Sequence, residues 1–217
     1  MKSQIAMGVG LGVCLLWGCH QPPVPEMSRP FVMEDFSYPW TNTPPPSTRC
    51  ELQWRGDALH FLFDVEDSDV VVSSDWKGES TVDNEDRVEL FFARDEALAQ
   101  YFCIEVDPLG RVHDYSARHH RQFDSKWRCD GSLTRGQRTP NGYRVEGSIP
   151  RTTFEVIPGK PFKLGTPLRL GVFRAEFRSS ERDHPGARVD NWISWVKPDA
   201  KQPDFHVPSA FREVTLR

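Results

Sequence analysis

Over most of its length the chain alternates apolar and polar residues with a period of two. In the segment 58–65, Leu59, Phe61, Phe63 and Val65 share one face. Val88, Leu90 and Phe92 do the same in the next such segment, as do Phe102, Ile104 and Val106 in the one after. Strict alternation is the signature of a strand with one apolar side. The opposite sides carry Arg87 and Glu89, then Glu105 and Asp107. Apolar sides of this kind need a second sheet to pack against. The polar sides admit two readings: a solvated outer surface, or a surface that grips a hydroxylated ligand.

The remaining periodic segments follow the same rule. Residues 48–54 lead through Arg55-Gly56-Asp57 into the 58–65 strand, which predicts a hairpin. Pro108-Leu109-Gly110 turns the 101–107 strand into 111–115, and Asn141-Gly142 opens a strand over 143–149. Further strands are expected at 168–177, 191–196 and 213–216. Only 152–156 and 95–100 suggest short helical turns. With 15 Gly and 18 Pro punctuating the chain at short intervals, the pattern predicts an all-β protein. The expected architecture is a single antiparallel β-sandwich domain of jelly-roll type.

Five pieces of sequence carry a family resemblance. They are Asn84-Glu85-Asp86-Arg87-Val88-Glu89-Leu90-Phe91-Phe92, Glu105-Val106-Asp107-Pro108-Leu109-Gly110, Val145-Glu146-Gly147-Ser148-Ile149-Pro150, Trp192-Ile193-Ser194-Trp195 and Pro208-Ser209-Ala210-Phe211. In this order, across residues 48 to 217, they resemble the family 9 carbohydrate-binding modules. The resemblance implies a β-sandwich that binds sugars without cleaving them, in the company of polysaccharide-degrading enzymes. It also implies bound calcium in some members.

The N-terminus has a different character. Lys2 precedes a 13-residue apolar run from Ile5 to Trp17, the length of a signal-peptide core and too short to span a bilayer comfortably. Leu16-Trp17-Gly18-Cys19 resembles a bacterial lipobox, so residues 1–19 read as a lipoprotein signal peptide with Cys19 as the acylated residue. The expected location is the bacterial cell envelope, with a lipid-held domain at the outer membrane or facing the periplasm. Residues 20–47, with two proline clusters, read as a tether. Phe31, Phe36, Tyr38 and Trp40 within it point to contact with the domain edge. Residues 48–217 are then the binding domain.

The net charge of −4 argues against nucleic acid as a partner, since that role favours a basic surface. Cys50, Cys103 and Cys129 allow at most one disulfide among themselves, by any of three pairings.

Sugar sites combine aromatic rings, which pack on C–H faces, with carboxylates, amides and guanidinium groups for the hydroxyls. Trp76, Glu89, Glu105, Arg174, Arg188, Trp192, Gln202 and Phe205 are the candidates here. Trp192 and Trp195 are three apart, so one faces the core and the other faces outward. By the family pattern Trp195 is the structural one. The resemblance places Glu89 as the sugar-binding glutamate, Phe205 as one stacking ring and Gln202 as the nearby amide. The family's second stacking Trp would fall at Asp83, a departure from its pattern, and Trp76, seven residues earlier, is a candidate to replace it.

Two clusters invite a metal reading. Asp64, Glu66, Asp67 and Asp69 gather enough oxygens for calcium, although their spacing is not that of an EF-hand. His113, His119 and His120 lack the spacing of a zinc motif. Two other classes of function compete with sugar binding. One is a surface lipoprotein module that only makes protein contacts. The other is a glycoside hydrolase using Glu89 and Glu105 as its carboxylate pair, although no Gly-x-Ser-x-Gly motif is present.

Overall fold

The computed structural model describes residues 29–41, 43–159, 161–178 and 191–217. Cys19 and Arg188 lie outside them. Twelve strands are assigned among the described residues: β1 (Phe31–Met33), β2 (Thr48–Arg55), β3 (Ala58–Glu66), β4 (Arg87–Ala93), β5 (Tyr101–Val106), β6 (Val112–Arg118), β7 (Gln122–Asp124), β8 (Leu133–Thr139), β9 (Gly142–Pro150), β10 (Leu168–Glu176), β11 (Asn191–Ser194) and β12 (Arg212–Val214). They form two sheets, both antiparallel throughout. One runs β1-β2-β3-β9-β8 and the other β11-β10-β4-β5-β6-β7, with β12 alongside β10. This is a single β-sandwich.

The alternation read from sequence sets the packing. Leu59, Phe61, Phe63 and Val65 from β3 face Val88, Leu90, Phe92, Phe102, Ile104 and Val106 from β4 and β5 in one core. Each fully buried side chain of this size contributes about 1.5–3 kcal/mol. Residues Gly56-Asp57 close the β2–β3 hairpin, with Gly56 at φ 59°. At the other end of the sandwich the β5–β6 turn presses on β8. A Cβ on Gly110 would lie 2.5 Å from the Gly136 nitrogen, so only glycine lets the two backbones meet.

The seven-stranded sheet also carries apolar residues on its outer side. Phe91, Tyr101, Phe173, Phe205 and Phe211 form a second cluster there, joined by Trp40 and Trp192. Phe205 stacks on Phe173 with centroids 4.0 Å apart and planes 10° apart. The C-terminal segment around 200–211 therefore covers part of that outer face. The Trp40 indole ties the edge segment to the same place by donating to the Ala200 carbonyl at 2.7 Å.

Several expectations change. The sandwich takes in residues well before 48, because β1 pairs with β2 and Ser37 bridges to Ser194. The helical turn expected at 152–156 is present as α1 (Arg151–Glu155), whereas 95–100 is a non-helical turn. A 3-10 helix over Glu79–Asn84 precedes β4. Cys50, Cys103 and Cys129 are buried free thiols. Among the described residues, no helix is long and apolar enough to cross a membrane.

Candidate functional site

On the outer side of the seven-stranded sheet, the part left uncovered by the C-terminal segment is polar. Arg87 and Glu89 come from β4, Glu105 from β5, and His113 and Tyr115 from β6. The β4–β5 register sets Glu89 directly opposite Glu105, and the β5–β6 register sets Glu105 opposite His113. A row of polar side chains thus crosses three strands. It forms the floor of two adjoining hollows of about 440 and 60 Å³. The larger falls within the range of about 300–1,000 Å³ typical of small-ligand sites.

Aromatic rings stand on the two edge strands. Trp192, on β11, lines both hollows, and its ring meets Phe205 edge-on at 5.2 Å. Phe123, on β7, lines the larger hollow and is 50% exposed. It contacts Tyr115 at 5.5 Å and His206 at 5.1 Å, both edge-on. The rim is completed by Arg121, which Asp204 holds at 2.9 Å, and by His206.

The floor is one network. Arg87 Nε donates to Glu89 Oε1 at 2.9 Å and lies 2.8 Å from Glu105 Oε2. The Tyr115 hydroxyl donates to Glu105 Oε1 at 2.8 Å. Glu89 and Glu105 are only 2% and 4% exposed. Burial, reinforced by the Glu105 charge, pushes the Glu89 carboxyl up to about 8 against the pull of Arg87. At neutral pH it is largely protonated and can donate as well as accept. His206, buried and bonded through Nδ1 to the Tyr101 hydroxyl at 2.9 Å, is pulled down to about 3, chiefly by burial, and stays neutral. His113 Nδ1 and Asp83 Oδ1 lie 2.7 Å apart. That hydrogen bond holds the imidazole above its usual range, against the effect of burial.

The expected site residues divide. Glu89, Glu105 and Trp192 come together in the groove, as does Asp83. Phe205 is 4% exposed, stacks on Phe173 and meets Trp192 edge-on, and it lines the smaller hollow. Gln202 is exposed, and its neighbour Pro203, not Gln202, lines that hollow. Trp76 is 44% exposed but lines neither hollow. Its ring instead carries the Arg111 guanidinium 5.1 Å from its centroid. Trp195 packs in the main core.

Arg174 is a clear correction. The residue does face away from Phe173, but Phe173 belongs to the outer cluster, so Arg174 points between the sheets. It is fully buried, donating to Asp67 Oδ2 at 2.9 Å and Glu176 Oε1 at 2.7 Å. It has no route to a ligand in the groove.

The acidic stretch expected to bind calcium also resolves differently. Asp64 is occupied by Arg144 at 2.6 Å. Asp67 is taken by Arg174 and by the Asp69 amide, and Glu66 is exposed. The four carboxylates do not converge. The motif acids that follow are structural as well. Asp86 accepts from the Val71 and Phe177 amides, and Glu85 accepts from the Ser73 amide and Arg111. They pin the 71–73 loop to the sheet.

Phe123, Tyr115, Arg121 and His206 are groove residues that the sequence did not single out. Tyr115 alone had a signal, since it alternates with His113 on a predicted strand. Phe123 sits on a three-residue strand with polar flanks, and nothing in its neighbourhood marks it.

A further hollow of about 350 Å³ lies on the outer side of the five-stranded sheet, beside Gln53, His60 and Leu133. Its only aromatic is Phe61, which is buried in the core. The groove with Trp192 and Phe123 instead offers accessible rings beside paired carboxyl groups.

A family model for carbohydrate family 9 binding domain-like proteins matches residues 29–217. No curated protein sequence matches the chain. Among solved structures, a proposed carbohydrate-binding protein from Bacteroides uniformis superposes with a TM-score of 0.65 at 14% identity, over 87% of each chain. A carbohydrate-binding module of family 9 from Caldicellulosiruptor kristjanssonii is similar in fold in its complexes with glucose and with cellotriose. Both give a TM-score of 0.53 at 20% identity, over 87% of this chain and 84% or 82% of that one.

Proposed function

The chain belongs to the carbohydrate family 9 binding domain-like family, and from that premise we propose that it binds a carbohydrate, without cleaving it, in the groove between Trp192 and Phe123. One observation carries this reading: a partly exposed indole lines a hollow of about 440 Å³ together with carboxylate, guanidinium and phenol groups. A sugar ring offers a C–H face to the rings. Its hydroxyls meet Glu105, Tyr115 and Arg87 on the floor and Arg121 on the rim.

The carboxylate arrangement favours binding over hydrolysis. A glycosidase sets its two carboxyl groups on either side of the scissile bond. Glu89 and Glu105 lie side by side on the floor, both within 2.9 Å of the same guanidinium nitrogen. The lipobox reading adds an anchor at Cys19, which would hold the groove at a membrane surface and make it a capture device for glycans handled by neighbouring enzymes. Palmitate incorporation that is lost in Cys19→Ala supports the anchor, and equal labelling of both proteins rejects it.

A glycan array probed with the purified protein tests the function. Binding to a defined set of glycans, with no new products from any hit, supports the proposal. An array without hits would leave the module as a protein-contact domain, and product formation would make it an enzyme.

A further inference from the structure

We propose that Asp83, Glu105 and His113 form a divalent metal site in the wall of the groove, suited to a borderline ion such as Zn²⁺. One ligand atom from each of the three lies within 4.8 Å of the others, and they are the group of this kind found among the described residues. Bonds of about 2.0–2.2 Å would draw such atoms to roughly 3–3.5 Å apart. That is a rotamer adjustment rather than a backbone movement.

The residues come from well-fixed elements. Glu105 and His113 are direct cross-strand partners on β5 and β6. Asp83 lies on the 3-10 helix that leads into β4. An imidazole nitrogen with two carboxylate oxygens suits zinc or a similar transition ion better than calcium or magnesium, which take oxygen ligands alone. Three protein ligands leave a coordination position open toward the hollow that all three residues line.

A second observation is independent of the clustering. Glu105 is buried, yet its Oε2 makes no hydrogen bond. Arg87 Nε lies 2.8 Å away but out of line, and the same nitrogen is spent on Glu89. The other oxygen, Oε1, is fixed by Tyr115, the kind of orienting partner that supports metal ligands. Charge points the same way. With Glu89 neutral, Asp83, Glu105 and Asp204 still outnumber Arg87 and Arg121 along the two hollows. The four acids at Asp64, Glu66, Asp67 and Asp69 lack such convergence. The proposal does not depend on sugar binding.

The test is calorimetric titration of chelator-treated full-length protein with Zn²⁺, repeated for Asp83→Asn and His113→Gln. Cobalt(II) absorption reports the ligand set. The expected result is one equivalent bound by the wild type, affinity reduced at least about tenfold in both variants, and a visible cobalt band that both variants lose. His113→Gln can still hydrogen-bond Asp83, and Asp83 is half exposed, so both variants are expected to melt near the wild type. Should His113→Gln fail to fold, Asp83→Asn decides alone. A wild type that binds no Zn²⁺ overturns the proposal, as does equal binding by a folded variant.

Discussion

Glu89 and Glu105 face each other directly across the β4–β5 ladder, and a single guanidinium nitrogen, Arg87 Nε, lies within 2.9 Å of one and 2.8 Å of the other. One positive charge therefore serves two buried carboxyl groups. The Tyr115 hydroxyl adds its hydrogen bond to Glu105. The Glu89 carboxyl is pushed up to about 8 by burial and by its neighbour's charge, against the pull of Arg87. The floor of the groove is thus a network with its own protonation state, not a row of independent hydroxyl-binding groups.

A pH dependence of stability follows. The folded-state value of Glu89 lies above its ordinary 4.5, so the folded protein holds a proton that the unfolded chain releases. The associated stability is fully present below about pH 4.5 and is lost as pH rises through about 8. Glu89→Gln removes this dependence. Melting temperatures between pH 5 and 9 should fall more steeply for the wild type than for the variant. Asp86, also raised to about 8 mainly by burial, leaves a common slope in both. Parallel curves would contradict the assignment.

Arg174 separates fold from function. Its guanidinium is buried between the sheets on Asp67 and Glu176. Arg174→Met leaves those carboxylates without their counter-charge and should lower unfolding free energy by about 3–5 kcal/mol. Sugar affinity of the folded fraction should not change. Denaturant melts and calorimetry on one preparation decide this, and lost affinity with unaltered stability would return Arg174 to the site.

Two exposed aromatics should respond in opposite ways. Phe123 lines the groove, so Phe123→Ala should weaken sugar binding by about 1–3 kcal/mol with little effect on stability. Trp76 lies outside it, against Arg111. Trp76→Ala should leave affinity within error of the wild type. The reverse pattern would place the second stacking ring at Trp76 after all.

Much of the fold was legible because alternation marks a strand with one buried side. β3, β4 and β5 satisfy that condition and fall within a residue or two of their expected bounds. β8 does not. Leu133-Thr134-Arg135-Gly136-Gln137-Arg138-Thr139 is an edge strand exposed along most of its length, so no apolar side appears in its sequence. β1 was hidden in a proline-rich stretch, and β7 is only three residues long.

The site was legible in part, for a related reason. Period two says which residues share a side, and it correctly grouped Arg87 with Glu89. It cannot say which side is interior when both carry apolar residues. On β10 the outer cluster around Phe173 reversed the expected sense, which sent Arg174 inward. The contact of Asp83 with His113 spans 30 residues, and that of Phe123 with His206 spans more. Neither leaves a local signal.

The central claim is that Trp192 is the platform on which a sugar ring rests. The most direct measurement is calorimetric titration of wild type and Trp192→Ala with the strongest glycan-array ligand. Trp192 is partly exposed at the sheet edge, so the variant should fold and melt close to the wild type. The account predicts single-site binding by the wild type and a loss of about 1–3 kcal/mol, roughly 5- to 150-fold in affinity, in the variant. Equal affinity in a folded Trp192→Ala protein would contradict it and move the carbohydrate site away from this groove.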